Sequence, residues 1–247
     1  AVLLLKEIAA RGGIGWRLLD LSRHCELDRG TTYRILACLV RERLVQQRES
    51  DRRYVAGPLL FELGLSLPAF AAFQAVCNAP LTRIARRFGG VSLLYLRSGT
   101  DFVCAARVDA LPIKALTIDL GTRRPLIVSV GGVAMLIALP KAEARAIVSR
   151  NMKHIARFSA ARIRSLERMI RRSENRGFGI SQSEVVPGIS AFGVAIRDKG
   201  GSPFASISLV GPTDNFPSSR VPEIITALEE ESRGISQQAA RIFAKSG

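Results

Sequence analysis

LLDLSRHCELDRGTTYRILACLVRERLV, residues 18–45, reads as two helices joined by a tight turn. Leu18 and Leu21 share one helical face at i, i+3, with Leu19 and Ser22 beside them. The pattern breaks at His24-Cys25-Glu26, and Leu27 is the apolar plug of the turn. Asp28 stands at the N-cap position, where a short carboxylate takes orphan amide hydrogens of the next helix. That helix turns Thr32, Ile35, Leu36 and Leu39 inward and presents Arg29, Gly30, Thr31, Tyr33, Arg34 and Arg41 outward. A short helical face of cation, small residue, hydroxyl, aromatic and cation suits a groove lined by phosphates and base edges.

Working outward, Val45–Gln47 and 53–56 are two short extended pieces around a polar tip, a β-hairpin wing carrying Arg48, Arg52 and Arg53. Helix, turn, helix and basic wing, in that order, outline a winged helix-turn-helix that binds DNA. The alternative is an ordinary small helical subdomain with a solvated charged face. Upstream, Val2–Ala10 forms a helix with Val2, Leu5 and Ala9 inward, ended by Gly12-Gly13, which completes a three-helix core. Residues 1–57 are therefore a first domain. Pro58 is placed to start a helix. LLFELGLSLPAF is apolar on most faces, so residues 58–78 read as a linker helix buried against a second subunit, or else against its own chain.

Residues 79–247 change character. A helix over 79–88 is stopped by Gly89-Gly90, and strands at 91–97 and 102–108 flank a turn at Ser98-Gly99-Thr100-Asp101. A strand is predicted at 115–118, a loop at 119–125, and helices at 129–139, 142–151 and 159–176. Strands at 179–184, 191–197 and 204–210 follow, then an amphipathic helix over 221–243. Strands with interspersed helices and hairpins predict an α+β domain with a mostly antiparallel sheet.

The chain of 247 residues is 47% apolar and 23% charged, with room for one large or two small domains. No stretch resembles a membrane span or a secretion signal. It opens inside a helical pattern, AVLLLKEIAA, so an initiator Met and any leader are expected to lie outside the sequence. Cys25, Cys38, Cys77 and Cys104 are scattered, with only two histidines and no CxxC, so metal and disulfide readings are poor and a reducing cytoplasm is the simpler setting. The net charge is +15. Residues 1–60 hold 11 Lys and Arg against 7 Asp and Glu, but residues 141–176 hold 11 against 3. Basicity of this size invites DNA, RNA or an anionic membrane as partner. The run at 141–176 reads as a solvated helical face, with a second phosphate-contacting surface or an oligomer contact as alternatives.

Five blocks, in order, resemble the IclR family of bacterial transcriptional regulators. They are LLDLSRHCELDRGTTYRILACLVRERLV, YVAGPLLFELG, CAARVDA, LGTRRPLIVSVGGVAMLIALP and GFGISQSEVVPGISAFGVAIRDKGGSPFASISLVGP, and they span nearly the whole chain. The resemblance implies a winged helix-turn-helix, a dimerising linker helix and a GAF-like effector-binding domain. It also implies a homodimer or tetramer on a double-stranded DNA operator, acting as repressor or activator, whose affinity a small organic or aromatic acid changes. No cofactor and no membrane partner are implied. By position, Arg29, Thr31, Tyr33 and Arg34 match DNA-facing residues; Gly30 stands where a hydroxyl is usual and Tyr33 where His is frequent. Arg29 and Arg34 suit phosphate or guanine edges, and the wing arginines suit backbone or minor groove.

The resemblance further implies an effector pocket where the start of the Gly131 helix meets the strands at 179–210. Val130 and Gly131 match backbone amides that cap a ligand carboxylate, at a helix end whose dipole favours an anion. Ser208 matches a pocket hydroxyl and Ser129 is counted with the effector residues, though Ser129, Ser208 and Gly131 could equally be strand and helix-cap residues. Ile127 replaces a frequent His, Ser181 stands where Asp can occur, Ala191 where Cys is common and Val210 where Ser is common. Those departures make the pocket more apolar and favour a larger or aromatic acid.

Three other functions compete. An enzyme needs a nucleophile with a base in reach, yet His24 lies in the helix-turn-helix and His154 in a basic helical run. No nucleophile elbow, phosphate-binding loop or dinucleotide fingerprint is present. A ligand-independent DNA-binding protein would differ by having no enclosed pocket. A redox sensor would work through Cys25 or Cys38, but Cys38 reads as a core residue beside the buried face.

Overall fold

The computed structural model describes residues 1–244; the last three residues of the expected second domain, 245–247, lie outside them. The chain divides into two units, residues 1–71 with 120–123, and residues 72–119 with 124 onward.

In the first unit, α1 (Val2–Ala10), α2 (Leu18–His24) and α3 (Arg29–Arg41) precede a two-stranded antiparallel wing, β1 (Val45–Gln47) and β2 (Tyr54–Ala56). The turn between α2 and α3 is made by Glu26 at φ 55°, a left-handed conformation that reverses the chain sharply. Asp28 caps α3 by accepting the Thr31 amide at 2.8 Å. That bond, with the Thr31 side chain contributing first, holds the carboxyl below its ordinary pKa. Leu4, Ile8, Leu21, Leu36, Leu39, Val45 and Tyr54 form one core.

The inward face of α1 differs from the sequence expectation. Leu4 and Ile8 are fully buried, whereas Val2 is 66% exposed and Ala9 is exposed. Three consecutive leucines leave the apolar period undecided, and packing selects the i, i+4 pair. Cys38 is exposed on α3 and is not a core residue; the deeply buried thiols are Cys77 and Cys104.

The linker is also built differently. A short helix α4 (Leu59–Gly64) ends, and α5 (Pro68–Phe88) then runs unbroken through the position where a new helix was expected at residue 79. Pro80 lies inside α5, buried, at the cost of one ladder hydrogen bond.

The second unit is a six-stranded sheet. Its strands are β3 (Val91–Ser98), β4 (Asp101–Asp109), β5 (Arg123–Pro125), β6 (Gly179–Gln182), β7 (Ile189–Arg197) and β8 (Pro203–Pro212), in the order β5-β4-β3-β8-β7-β6. The β3–β4, β3–β8, β6–β7 and β7–β8 pairings are antiparallel. Alternation along β8 sorts the faces: Ala205, Ile207 and Leu209 join a core with α5 and α9 (Val221–Ala244). The other face packs under α6 (Val130–Ile137), α7 (Lys141–His154) and α8 (Ala160–Arg176) through Leu93, Tyr95, Val133, Leu136, Leu166 and Met169. Residues 115–118 are not a strand. Their apolar Leu116 and Ile118 pack into this second core, and the extra strand falls later, at Arg123–Pro125.

Candidate functional site

The first unit displays the predicted reading face. Arg29, Gly30, Tyr33 and Arg34 are exposed on α3 and Thr31 is half-buried. Tyr33, at 57% exposure, is a large apolar ring held in solvent on a cationic face. Arg34 donates to the Thr31 hydroxyl at 3.4 Å, which leaves most of its guanidinium available. The wing arginines divide. Arg48 grips Asp51 through two bonds of 2.9 and 2.7 Å and donates to the Gly13 carbonyl at 2.8 Å. Arg53 pairs with the same carboxylate at 3.3 Å and reaches the carbonyls of Ile14 and Gly15. These two cations tie the wing to the turn after α1, whereas Arg52, at φ 58°, is exposed at the tip.

In the second unit a small, half-open cavity of about 120 Å³ is lined by Ser129 and Val130 at the start of α6, by Ser181 and by Ala191. Four of the six predicted effector residues therefore meet. The other two lie behind the wall. Gly131 sits where a Cβ would fall 2.3 Å from the Tyr95 ring and 2.9 Å from the Ser206 hydroxyl, so its missing side chain lets α6 approach the sheet. Ser208 is fully buried on β8 beside the Tyr95 phenol. The hydroxyls of Ser206 and Ser208 make no well-formed hydrogen bond. Ile127 is buried and is not part of the lining, while Val210 is. Ser129 caps α6 by accepting the Gly132 amide at 3.0 Å, so its hydroxyl already has a structural task. A wider, open groove lies along α7, α8 and α9, but it contains none of the predicted residues.

The sequence did not single out Arg124, Arg162 and Tyr95, which also line the cavity. Arg124 donates to the Thr117 carbonyl at 2.7 Å and the Thr117 hydroxyl at 3.1 Å. Arg162, in the first turn of α8, donates to the Val185 carbonyl. Burial first, and then the charge of Arg124, lower the Arg162 pKa from its ordinary value. Burial raises the Tyr95 phenol far above its usual range, so it stays a neutral hydroxyl. One signal for Arg162 existed: it lies at i−4 and i−7 from buried Leu166 and Met169, on the apolar stripe of α8. Among the described residues no cluster of His, Cys, Asp and Glu suits a metal ion, and no helix is long and apolar enough to cross a membrane.

Comparison with known proteins agrees with both halves. Residues 3–49 match the IclR helix-turn-helix domain, and residues 72–237 match the family described as bacterial transcriptional regulator IclR C-terminal. The HTH-type transcriptional repressor AllR of Klebsiella pneumoniae is 25% identical over 236 residues, 95% of this chain and 86% of that protein. AllR of Escherichia coli K12 is 22% identical over 95% of this chain and 87% of its own length. An IclR family transcriptional regulator from Brucella abortus superposes with TM-score 0.73 at 18% identity, covering 96% of this chain and 91% of that one. An IclR homolog from Microbacterium hydrocarbonoxydans, complexed with 4-hydroxybenzoate, superposes with TM-score 0.70 at 17% identity over 98% and 99% of the two chains. The helix-turn-helix match, the long C-terminal match and the shared α+β fold lead to one conclusion: the chain belongs to the IclR family of bacterial transcriptional regulators.

Proposed function

We propose that this DNA-binding transcriptional regulator senses a small organic acid in the cavity of its second unit and that the acid changes its affinity for an operator. The observation that carries the reading is a cavity whose charged linings are both guanidinium groups, at a helix N-terminus that itself favours an anion. The 4-hydroxybenzoate held by a structural neighbour supports an aromatic acid as one candidate. On DNA, Arg29, Thr31, Tyr33 and Arg34 read the major groove, and Arg52 is the wing cation with the fewest duties inside the protein. Arg48 and Arg53 serve the wing first and reach phosphate second.

The working unit is a cytoplasmic homodimer, joined through the exposed apolar residues of the linker, that sets two recognition helices on a near-palindromic operator. An acid can shift that equilibrium only by the difference in its affinity for the two states. A melting-temperature screen of the chain against organic and aromatic acids, followed by gel shifts with selected DNA fragments, tests this. A raised melting temperature together with altered retardation is the expected result. Retardation that every acid leaves unchanged would overturn the effector half and leave the DNA-binding half standing.

A further inference from the structure

We propose that the effector carries two acidic groups, a compact organic dicarboxylate with one carboxylate against Arg124 and the other against Arg162. The inference rests on the effector reading above and narrows it from an acid to a dianion.

Charge balance leads there. Arg124 comes from β5 and Arg162 from the first turn of α8, two elements far apart in sequence that meet at one cavity. No Asp or Glu is among the residues that line it, and among the described residues neither guanidinium forms an ion pair with a carboxylate. Their hydrogen bonds instead go to neutral oxygens, the Thr117 carbonyl and hydroxyl and the Val185 carbonyl. Elsewhere on the same unit arginines take acids: Arg107 pairs with Asp109 and Asp119, and Arg172 with Glu184. Two cations gathered in a partly desolvated space repel each other; burial first, and the charge of Arg124 second, lower the basicity of Arg162.

The α6 N-terminus adds roughly half a positive charge at the same wall. A monocarboxylate would leave more than one unit of positive charge uncompensated; a dianion nearly cancels it. The remaining lining, including Leu116, Ile118, Val128, Val186 and Ile189, is apolar, so the skeleton between the acids is hydrocarbon. The cavity is small beside the several hundred Å³ of a pocket for a drug-sized ligand, which limits that skeleton to a short chain or a single ring. The Tyr95 phenol, kept protonated, offers a neutral donor along the wall.

The experiment is calorimetric titration of the full chain with matched probes: butanoate against butanedioate, hexanoate against hexanedioate, and benzoate against benzene-1,4-dicarboxylate. At least one diacid is expected to bind about tenfold or more tightly than its monoacid, the worth of one further charge-assisted contact. Arg124→Gln and Arg162→Gln should each bring that diacid down to the level of the monoacid and scarcely change the monoacid. Arg162→Lys, which keeps the charge, should retain the preference, and near-ultraviolet circular dichroism checks that every variant is folded. Monoacids that bind as tightly as their diacids, or a diacid preference that survives both glutamine variants, would overturn the proposal while leaving an acid effector in place. Binding by no probe of either set would overturn both the dianion and the acid reading together.

Discussion

At Gly131 the backbone of α6 comes so near the sheet that a methyl group has nowhere to go. An added Cβ would lie 2.3 and 2.6 Å from ring carbons of Tyr95, which is fully buried and packs against Phe102. Gly131→Ala should therefore destabilise the second unit by about 1–3 kcal/mol, the usual cost of overpacking, read as a shift of its urea midpoint. An unchanged midpoint would mean that α6 is free to slide. On the reading face the expectation is the reverse. Arg34 is exposed and its one internal bond is long, so Arg34→Ala should leave the melting temperature unchanged. It should weaken operator binding by roughly 1–3 kcal/mol, with a smaller salt slope if the contact is to phosphate. Normal gel shifts from that variant would remove Arg34 from the reading surface. Residues whose role follows from local chemistry were legible in the sequence: Asp28 as a cap, Tyr33 and Arg34 as outward groups. Arg124 and Arg162 were not, because nothing local separates a cavity-facing arginine from the many solvated ones around it. Only the placement of Arg162 on the buried stripe of α8 hinted at it.

Among the elements, the wing is held by an acid at its centre. Asp51 is drawn from its ordinary 3.8 to about 2, first by the hydrogen bonds from Arg48 and further by Arg53. Its folded value lies below the unfolded one, so the pairing contributes fully above about pH 4 and is lost as the pH falls toward 2. Protection of the wing amides against hydrogen exchange, taken relative to their intrinsic rate at each pH, should fall within that window, and in Asp51→Asn the wing should be loose at every pH. The same variant raises the net charge by one and releases Arg48 and Arg53. It should hold non-specific DNA more tightly, measured as anisotropy of a random-sequence duplex; equal affinity would leave those two arginines with a purely internal role. Element boundaries were readable wherever a chemical stop exists: Ser159 and Gly177 frame α8, the one accepting the Arg162 amide at 3.3 Å and the other left-handed at φ 79°. They were misread where long-range packing decides. α5 continues through residue 79 because Phe73, Cys77, Leu81 and Ile84 form one buried stripe, a fact that exists only once the sheet lies against it.

Among the described residues, several exposed large apolar side chains fall close together along the chain in the linker. Phe61, Leu63, Leu65 and Leu67 are each more than half exposed around and after α4. Exposed apolar side chains grouped in this way fit the dimer contact proposed above. If the proposed dimer forms through the linker, Phe61→Ser should shift sedimentation velocity toward the monomer and weaken operator binding in parallel; an unchanged sedimentation coefficient would remove the linker from the proposed dimer contact. The fold class and the order of the two units were legible from periodicity and turn chemistry, since helices and hairpins announce themselves locally. The cavity was legible only in part, because α6, α8, several strands of the sheet and the segments at 115–118 and 185–186, all distant in sequence, meet to form it. The basic surface of α7 and α8, remote along the chain from the recognition helix, has a consequence for regulation. A charge of +15 favours non-specific attraction to DNA phosphates along any duplex. Genomic DNA offers on the order of a million or more weak sites to compete for it. On the function proposed above, an effector would redistribute the regulator between operator and bulk DNA instead of detaching it. The quantity that sets gene output is then the ratio of operator to bulk-DNA affinity, with and without the acid, and not either affinity taken singly.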